Sequence, residues 1–231
     1  MGELHKPQVA ILASGGGTTA EAFILATVSK RADLEVPLVI SNNPDAGVFG
    51  RVKFLNKAHR LGAETLYISG RQYPLRRGEE ATRGQTPWES EKICEALAAR
   101  GIDHVALMGY MKIVTGDLLD EYGFQPVYDS IYQGRMSNTH PGPLPLTTDT
   151  AGVEAAKKVL AKGRKYSAHT VHLVSAGVDQ GPIIAKHRVP VEPDDSPQAL
   201  FARTQLVEKR ELPTDIDQFL KDQAEWREQN S

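Results

Sequence analysis

The chain has 231 residues, a formal net charge of −2 at pH 7 and a single cysteine, Cys94. This near-neutral balance offers no general attraction for nucleic acid or anionic membranes, and one cysteine excludes an intramolecular disulfide and any cysteine-based zinc cluster. No apolar run approaches the roughly 18 residues that cross a membrane, and residues 1–7 lack the apolar segment of a signal peptide. We therefore expect a soluble, cytoplasmic protein that binds neither nucleic acid nor membranes.

A chain of this length can fold as one α/β domain that buries roughly 70% of the surface exposed by its unfolded chain. It contains no internal repeat, low-complexity tract or interdomain linker. We expect a single domain over residues 1–231, with irregular insertions at about 69–84 and 123–133. The first insertion is rich in arginine, and we expect a solvated loop there, with a phosphate-gripping loop as the alternative.

The N-terminal half alternates short apolar runs with helical patterns. The apolar runs predict strands buried on both faces at residues 9–13, 36–40, 63–68 and 104–109. The helical patterns lie between these strands, at residues 20–30, 48–61 and 88–100. Repetition of strand, helix and strand predicts parallel pairing through right-handed crossovers. Cys94 falls within the third helical pattern, where we expect a packed residue and not a nucleophile.

The C-terminal half is less regular. Residues 115–122 predict a short helix with Thr115 as its N-cap. An extended run begins at Met136 and must end near His140, because three prolines follow within five residues. The remaining elements are a helix at 152–161, strands at 169–174 and 183–191, and a helical pattern over 196–226 that Pro213 interrupts.

A glycine-rich loop, residues 15–17, joins the first predicted strand to the first helix. Such a loop permits a tight turn and leaves the first N–H groups of the helix free to hold an anion. We predict a phosphate at Gly17, Thr18 and Thr19. The spacing also fits a loose dinucleotide fingerprint, but the acidic residue expected after strand two is replaced by Ser41-Asn42-Asn43. A dinucleotide site and a plain tight turn remain the alternatives.

Asn138 and His140 stand two residues apart at the end of their predicted strand, so their side chains point to the same face. In parallel α/β sheets, the carboxyl ends of strands are where ligands bind. The pair can therefore converge on one ligand atom. The alternative is a polar strand end in which His140 is a satisfied structural histidine.

The other histidines give no metal site. His169 and His172 are three residues apart in a predicted strand, so they face opposite sides and cannot chelate one metal. His172 shares a face with Thr170, and we expect both near the wall of the site. The remaining candidates, expected at the surface or at strand edges, are His59, His104 and His187.

Several separated segments together resemble the folate-dependent formyltransferases. They are the loop Ser14–Thr19, the segments Met108–Val114 and Asn138–Pro145, and Val178-Asp179-Gln180-Gly181-Pro182-Ile183-Ile184. The resemblance runs from Val9 to about Pro213, interrupted by the two insertions. It implies an α/β fold with a Rossmann-like, open, twisted and mostly parallel sheet, helices on both faces, and an antiparallel strand addition and helix at the C-terminus.

The resemblance also implies an activity. The family members that this sequence resembles most transfer the formyl group of 10-formyltetrahydrofolate to the amine of glycinamide ribonucleotide, a reaction of purine biosynthesis. The resemblance then implies that Asn138, His140 and Asp179 are the catalytic residues. Amine attack creates a negative oxygen, and each N–H donor to such an oxygen is worth about 3 kcal/mol. Asn138 and protonated His140 would donate, and Asp179 would hold the water that moves the proton. No metal and no covalent intermediate is needed.

Binding roles are implied in the same way. The resemblance implies that Gly17, Thr18 and Thr19 bind the substrate phosphate and that Glu208 contacts the ribonucleotide. An arginine is also expected at the phosphate, and we assign Arg83. The folate is expected to contact Asn138 and Asp179 and the backbone of Met111, Lys112, Ile113 and Val114. Without the resemblance, Glu208 would be an ordinary exposed helix residue and the segment 111–114 an ordinary connection. The implied partners are small molecules, with the chain as a monomer or homodimer.

Three departures from the family pattern border the pockets. Gly142 stands where serine is usual, residues 146–152 replace an aromatic-Pro-Gly segment, and Lys112 stands where arginine is common. These departures leave the identity of the formyl acceptor undecided. Another small amine is an alternative acceptor, and so is water, as in a formyltetrahydrofolate hydrolase. A dinucleotide-binding oxidoreductase and a non-catalytic binding protein are more distant ones.

Overall fold

A computed structural model of the protein describes residues 6–72 and 83–230. Most of the first predicted insertion, residues 73–82, lies outside the described residues. Before that gap the chain forms a 3₁₀ turn at Gly70–Gln72, and after it Gly84 bridges to Ile113.

The described residues form one seven-stranded sheet in the order β3-β2-β1-β4-β5-β6-β7. Its strands are β1 (Gln8–Leu12), β2 (Glu35–Ser41), β3 (Glu64–Tyr67), β4 (His104–Leu107), β5 (Met136–His140), β6 (Tyr166–Leu173) and β7 (Ile183–Pro190). The first five strands run parallel, and β6 and β7 add to β5 in antiparallel fashion. The strand order reverses between β1 and β4, and open α/β sheets bind ligands at such a point.

Helices cover both faces of this sheet. They are α1 (Thr18–Val28), α2 (Gly47–His59), α3 (Pro87–Ala98), α4 (Asp117–Tyr122), α5 (Val153–Ala161) and α6 (Pro197–Gln229). Phe23, Leu55 and Ile216 bring α1, α2 and α6 into one apolar core. Ile93 and Leu118 bring α3 and α4 into the core on the other side. The predicted α/β architecture, with its C-terminal antiparallel strands and helix, is confirmed.

Two local predictions about helices are wrong. Thr115 does not cap α4, because that helix begins at Asp117 after Gly116 without a side-chain cap, and the Thr115 hydroxyl donates to the carbonyl of Gln85. Pro213 does not interrupt the last helix, since α6 continues through it to Gln229. Buried residues on both sides of Pro213 hold the helix against the sheet, and this burial outweighs the backbone hydrogen bond that proline cannot make.

The segment 123–133 is irregular, as predicted, but it is anchored to the core. Phe124 donates its backbone N–H to the carbonyl of Val174 at 2.7 Å, and the amide of Gln223 on α6 donates to the carbonyl of Tyr132 at 2.6 Å. Phe124, Ile131 and Tyr132 also pack against the apolar core. Within the described part of the chain, no helix has the length and apolar character needed to cross a membrane.

One histidine prediction is wrong. His104 is fully buried in β4, with Nε2 2.9 Å from the hydroxyl of Ser137. Burial lowers the pKa of its imidazole to about 3. His59 is exposed at the end of α2 and His187 lies on the edge strand β7, as predicted.

Candidate active site

A cleft of about 530 Å³ opens at the carboxyl ends of the central strands. It lies over the reversal of strand order between β1 and β4. The structure brings all the residues to which the sequence assigned a role into its lining: Gly17, Thr18, Thr19, Arg83, Met111, Lys112, Ile113, Val114, Asn138, His140, Asp179 and Glu208. A single cleft therefore contains the groups predicted for catalysis and for both substrates.

The three residues predicted to be catalytic come from β5 and from the loop between β6 and β7. Asn138 and His140 lie two residues apart on β5, and the loop brings Asp179 so close that its Oδ2 is 3.4 Å from Nδ1 of His140. Asp179 adopts a positive φ of 54°, a conformation that aspartate tolerates better than most residues. These side chains come from distant parts of the chain, and they lie close together because β5 and β6 are neighbours in the sheet.

The charge of Asp179 is set by its neighbours. Burial would raise the pKa of its carboxyl, but the interactions with the imidazoles of His140 and His172 outweigh burial and hold that pKa well below its usual range. The backbone N–H of Asp149 also donates to Oδ2, at 3.2 Å. Asp179 is therefore a carboxylate at neutral pH.

His172 belongs to the site, although the sequence placed it only near the wall. It pairs with Asn138 in the antiparallel register of β5 and β6. Its Nδ1 lies 2.9 Å from the carbonyl of Leu173, which can only accept, so Nδ1 carries the proton. In the neutral ring, Nε2 then accepts from the amide of Asn138 at 3.1 Å. His172 thereby orients the Asn138 amide, and its Nε2 is also 3.5 Å from Asp179.

The glycine loop predicted to bind phosphate forms the tight turn that its glycines predict. Gly17 adopts a φ of 73°, and α1 begins at the next residue. A Cβ at Gly17 would lie 2.6 Å from Cβ of Val48, so only glycine allows this approach to α2. Arg51 on α2 donates to the carbonyl of Gly16 at 2.7 Å and forms an ion pair with Glu21. The loop is thus held open, with the first N–H groups of α1 available to an anion.

Glu208 lies beside this loop and is not an exposed helix residue. Its carboxylate accepts a hydrogen bond from the Thr139 hydroxyl at 3.1 Å, and only 7% of the residue is exposed. Burial raises the pKa of the Glu208 carboxyl, and hydrogen bonds from Thr139 and Thr19 only partly oppose that rise. The exposed alternative is therefore wrong.

The segment 111–114 is tied down at both ends. The backbone N–H of Met111 donates to the Ser14 hydroxyl at 2.8 Å, and that hydroxyl donates to the Asn42 side chain. The backbone N–H of Ile113 donates to the carbonyl of Arg83 at 3.0 Å. Arg83 is therefore paired through its backbone with this segment, and the role of its guanidinium at the phosphate stays a prediction. Ser14 supports this cleft segment through its hydroxyl, a role that a helical or strand pattern does not reveal.

Comparison with known proteins identifies the family. Residues 7–216 match the model described as "Formyl transferase". The "Trifunctional purine biosynthetic protein adenosine-3" of Gallus gallus is 33% identical over 211 residues, which cover 91% of this chain but 18% of that protein. The chain thus spans a small part of that longer relative.

Shorter relatives match over nearly their full length. The "Phosphoribosylglycinamide formyltransferase" of Bacillus subtilis (strain 168) is 27% identical over 211 residues, covering 91% of this chain and 93% of that protein. The crystal structure of glycinamide ribonucleotide transformylase 1 from Symbiobacterium toebii is 32% identical with a TM-score of 0.76, covering 94% of this chain and 89% of that chain. Since the family model matches most of its length, the chain belongs to the formyl transferase family.

Proposed function

We propose that this chain is one formyltransferase domain that moves the formyl group of 10-formyltetrahydrofolate to the primary amine of glycinamide ribonucleotide, a reaction of purine biosynthesis. The observation that carries the proposal is the meeting of Asn138, His140 and Asp179 in a cleft that also contains a phosphate loop at 17–19. The names of the Bacillus subtilis and Symbiobacterium toebii relatives support the same acceptor.

The two substrates occupy different parts of this cleft. The acceptor phosphate binds the N-terminus of α1, where free N–H groups and the helix dipole favour an anion. Glu208, next to Thr19 and Thr139, receives hydrogen bonds from the ribose. The reduced folate lies against the backbone of residues 111–114, held in place through Ser14.

The side chains present fit direct attack by the amine. The amine nitrogen bonds to the formyl carbon, and the carbonyl electron pair moves onto oxygen, which becomes negative. The Asn138 amide has two N–H groups, and one remains for this oxygen while the other donates to His172. Protonated His140 supplies a second donor through Nδ1.

Collapse of this centre breaks the bond between the formyl carbon and N10 of the folate, whose electron pair stays on N10. N10 gains a proton and the attacking nitrogen loses one. Asp179, an ionised acceptor beside His140, holds the water that carries this proton. The balance of the reaction requires no oxidant and no covalent enzyme intermediate.

The test is a transfer assay with 10-formyltetrahydrofolate and glycinamide ribonucleotide, with the formylated product measured by mass spectrometry. We expect product with the wild type and a loss of about a hundredfold or more in His140→Ala and Asp179→Asn, with the far-UV circular dichroism spectrum retained. Turnover at the wild-type rate in both variants would contradict the proposal. A reaction without acceptor measures hydrolysis separately, and an NAD(H) titration tests the oxidoreductase alternative.

A further inference from the structure

The imidazole of His140 has a buried side as well as a side that faces Asp179. Its Nε2 lies 2.9 Å from the hydroxyl of Thr147. Thr147 has no exposed surface and His140 has 2%, so solvent does not replace this contact. Thr147 belongs to the segment 146–152, which departs from the family pattern.

The hydroxyl is suited to both charge states of the ring. An ionised Asp179 can only accept hydrogen bonds, so Nδ1 of His140 must carry a proton toward it. Nε2 is then an acceptor in the neutral ring and a donor in the cation. A threonine hydroxyl rotates to donate in the first case and accept in the second. Nε2 is thereby satisfied throughout, and Nδ1–H stays directed toward Asp179.

Gly142 makes the room for this contact. A Cβ built at Gly142 would lie 2.4 Å from the Thr147 hydroxyl oxygen and 2.8 Å from its Cβ, closer than real Cβ atoms approach. The backbone at Gly142 is also anchored, because its carbonyl accepts a hydrogen bond from the buried Thr170 hydroxyl at 2.7 Å. The serine that the family resemblance predicts at this position would collide with Thr147 where it now stands. Two departures from the family pattern are therefore linked, because the glycine at 142 leaves the space that Thr147 of the segment 146–152 occupies.

We propose that Thr147, admitted by Gly142, is a positioning residue that holds the catalytic imidazole of His140 with its Nδ1–H toward Asp179 and the cleft, where the formyl group reacts. This inference rests on the proposed function, in which His140 is the donor to the formyl oxygen. Thr147 acts through His140 and does not itself contact a substrate.

Steady-state kinetics of three variants test the role. Thr147→Val replaces the hydroxyl by a methyl group of similar size. We expect its kcat to fall about 10- to 100-fold, with the KM of each substrate within about twofold of wild type, because binding groups are untouched. Thr147→Ser, which keeps the hydroxyl, restores kcat to within about threefold. The matched control is Thr148→Val, whose hydroxyl donates to the carbonyl of Pro145 and not to a catalytic group; it keeps wild-type kcat.

Nitrogen-15 spectra of the histidine rings provide a readout independent of activity. The His140 signals are assigned by their loss in His140→Ala. We expect the Nε2 resonance to move in Thr147→Val and to return in Thr147→Ser, because the hydroxyl is its hydrogen-bond partner. Thermal unfolding confirms that each variant is folded, and Thr147→Ala replaces Thr147→Val if the valine variant does not fold.

The outcomes separate this inference from the proposed function. An active wild type with unchanged kcat and an unchanged Nε2 resonance in Thr147→Val overturns the positioning role. An equal loss of kcat in Thr147→Ser and Thr147→Val also overturns it, because packing and not the hydroxyl would then matter. A wild type that transfers no formyl group contradicts the proposed function, and with it the catalytic part of the inference.

Discussion

The ammonium group of Lys112 lies 2.7 Å from the carboxylate of Glu89, whose side chain is fully buried at the start of α3. The same carboxylate oxygen accepts the backbone N–H of Thr86 at 2.7 Å. Burial raises the pKa of the Glu89 carboxyl, but the bonds from Lys112 and Thr86 outweigh it and the net pKa is lowered. This ion pair fastens the segment 111–114, where we propose that the folate binds, to the N-terminus of a core helix.

Lys112→Met is expected to destabilise the fold, because it leaves a buried carboxylate without its cation. The free energy of unfolding at pH 7 should fall by about 3 kcal/mol, measured by urea unfolding. Since the folded-state pKa of Glu89 is lowered, its stabilising contribution is present above its unfolded value and lost on acidification. The difference between variant and wild type should therefore shrink below about pH 4.

The matched control is Lys157→Met, which breaks the exposed pair with Glu154 on α5. Surface pairs of this kind contribute little, so its stability should stay close to that of the wild type. Equal losses in the two methionine variants would show that the buried pair has no special role. An unchanged KM for the folate in a folded Lys112→Met protein would argue that the segment does not need this anchor.

Asp179 should contribute to acid stability as well as to catalysis. Its folded-state pKa is lowered, so the carboxylate stabilises the fold above about pH 4, the pKa of an aspartate in the unfolded chain. This contribution is lost as the pH falls. Asp179→Asn removes the titrating group. We expect the wild type to lose more unfolding free energy than the variant between pH 5 and pH 3, by about 1 kcal/mol or more. Parallel losses in urea titrations would refute this assignment.

Glu208→Gln tests a pKa shift of the opposite sign, because the pKa of the Glu208 carboxyl is raised and not lowered. Burial raises the folded-state pKa of Glu208, so ionisation costs more in the folded chain and its stabilising contribution is lost as the pH rises. The neutral glutamine avoids this cost. We expect the variant to gain stability relative to the wild type between pH 4 and pH 7, while the KM for glycinamide ribonucleotide rises and that for the folate does not. A stability difference that is independent of pH would contradict the raised pKa.

Gly17→Ala should damage the phosphate loop through the backbone. The residue has a positive φ, and its new Cβ would collide with Val48. We expect a loss of about 1–3 kcal/mol in stability and a higher KM for the acceptor, measured by thermal unfolding and kinetics. Gly16→Ala is the steric control for stability, because a Cβ there meets no atom within 4 Å. Similar melting temperatures for the two variants would contradict the steric explanation.

The pattern of apolar runs and glycines was enough to predict the parallel sheet, its helices and the position of the glycine turn before α1. These features depend on residues close together in the chain, such as Gly17 before α1 and the prolines after His140. Predictions from single residues failed where packing against the core determined the structure. Pro213 is accommodated within α6, and His104 is buried in β4, because the apolar core outweighs the preference of the single residue.

By itself, the sequence determined that Asn138 and His140 share one face of a strand, since that follows from the alternation of side chains. Only the tertiary structure decided what surrounds them. The antiparallel register of β6 brings His172 to Asn138, the β6–β7 loop brings Asp179 to His140, and the space at Gly142 admits Thr147. The physical reason is that such contacts join residues far apart in the chain, and strand register and close packing, not local pattern, determine which of them meet.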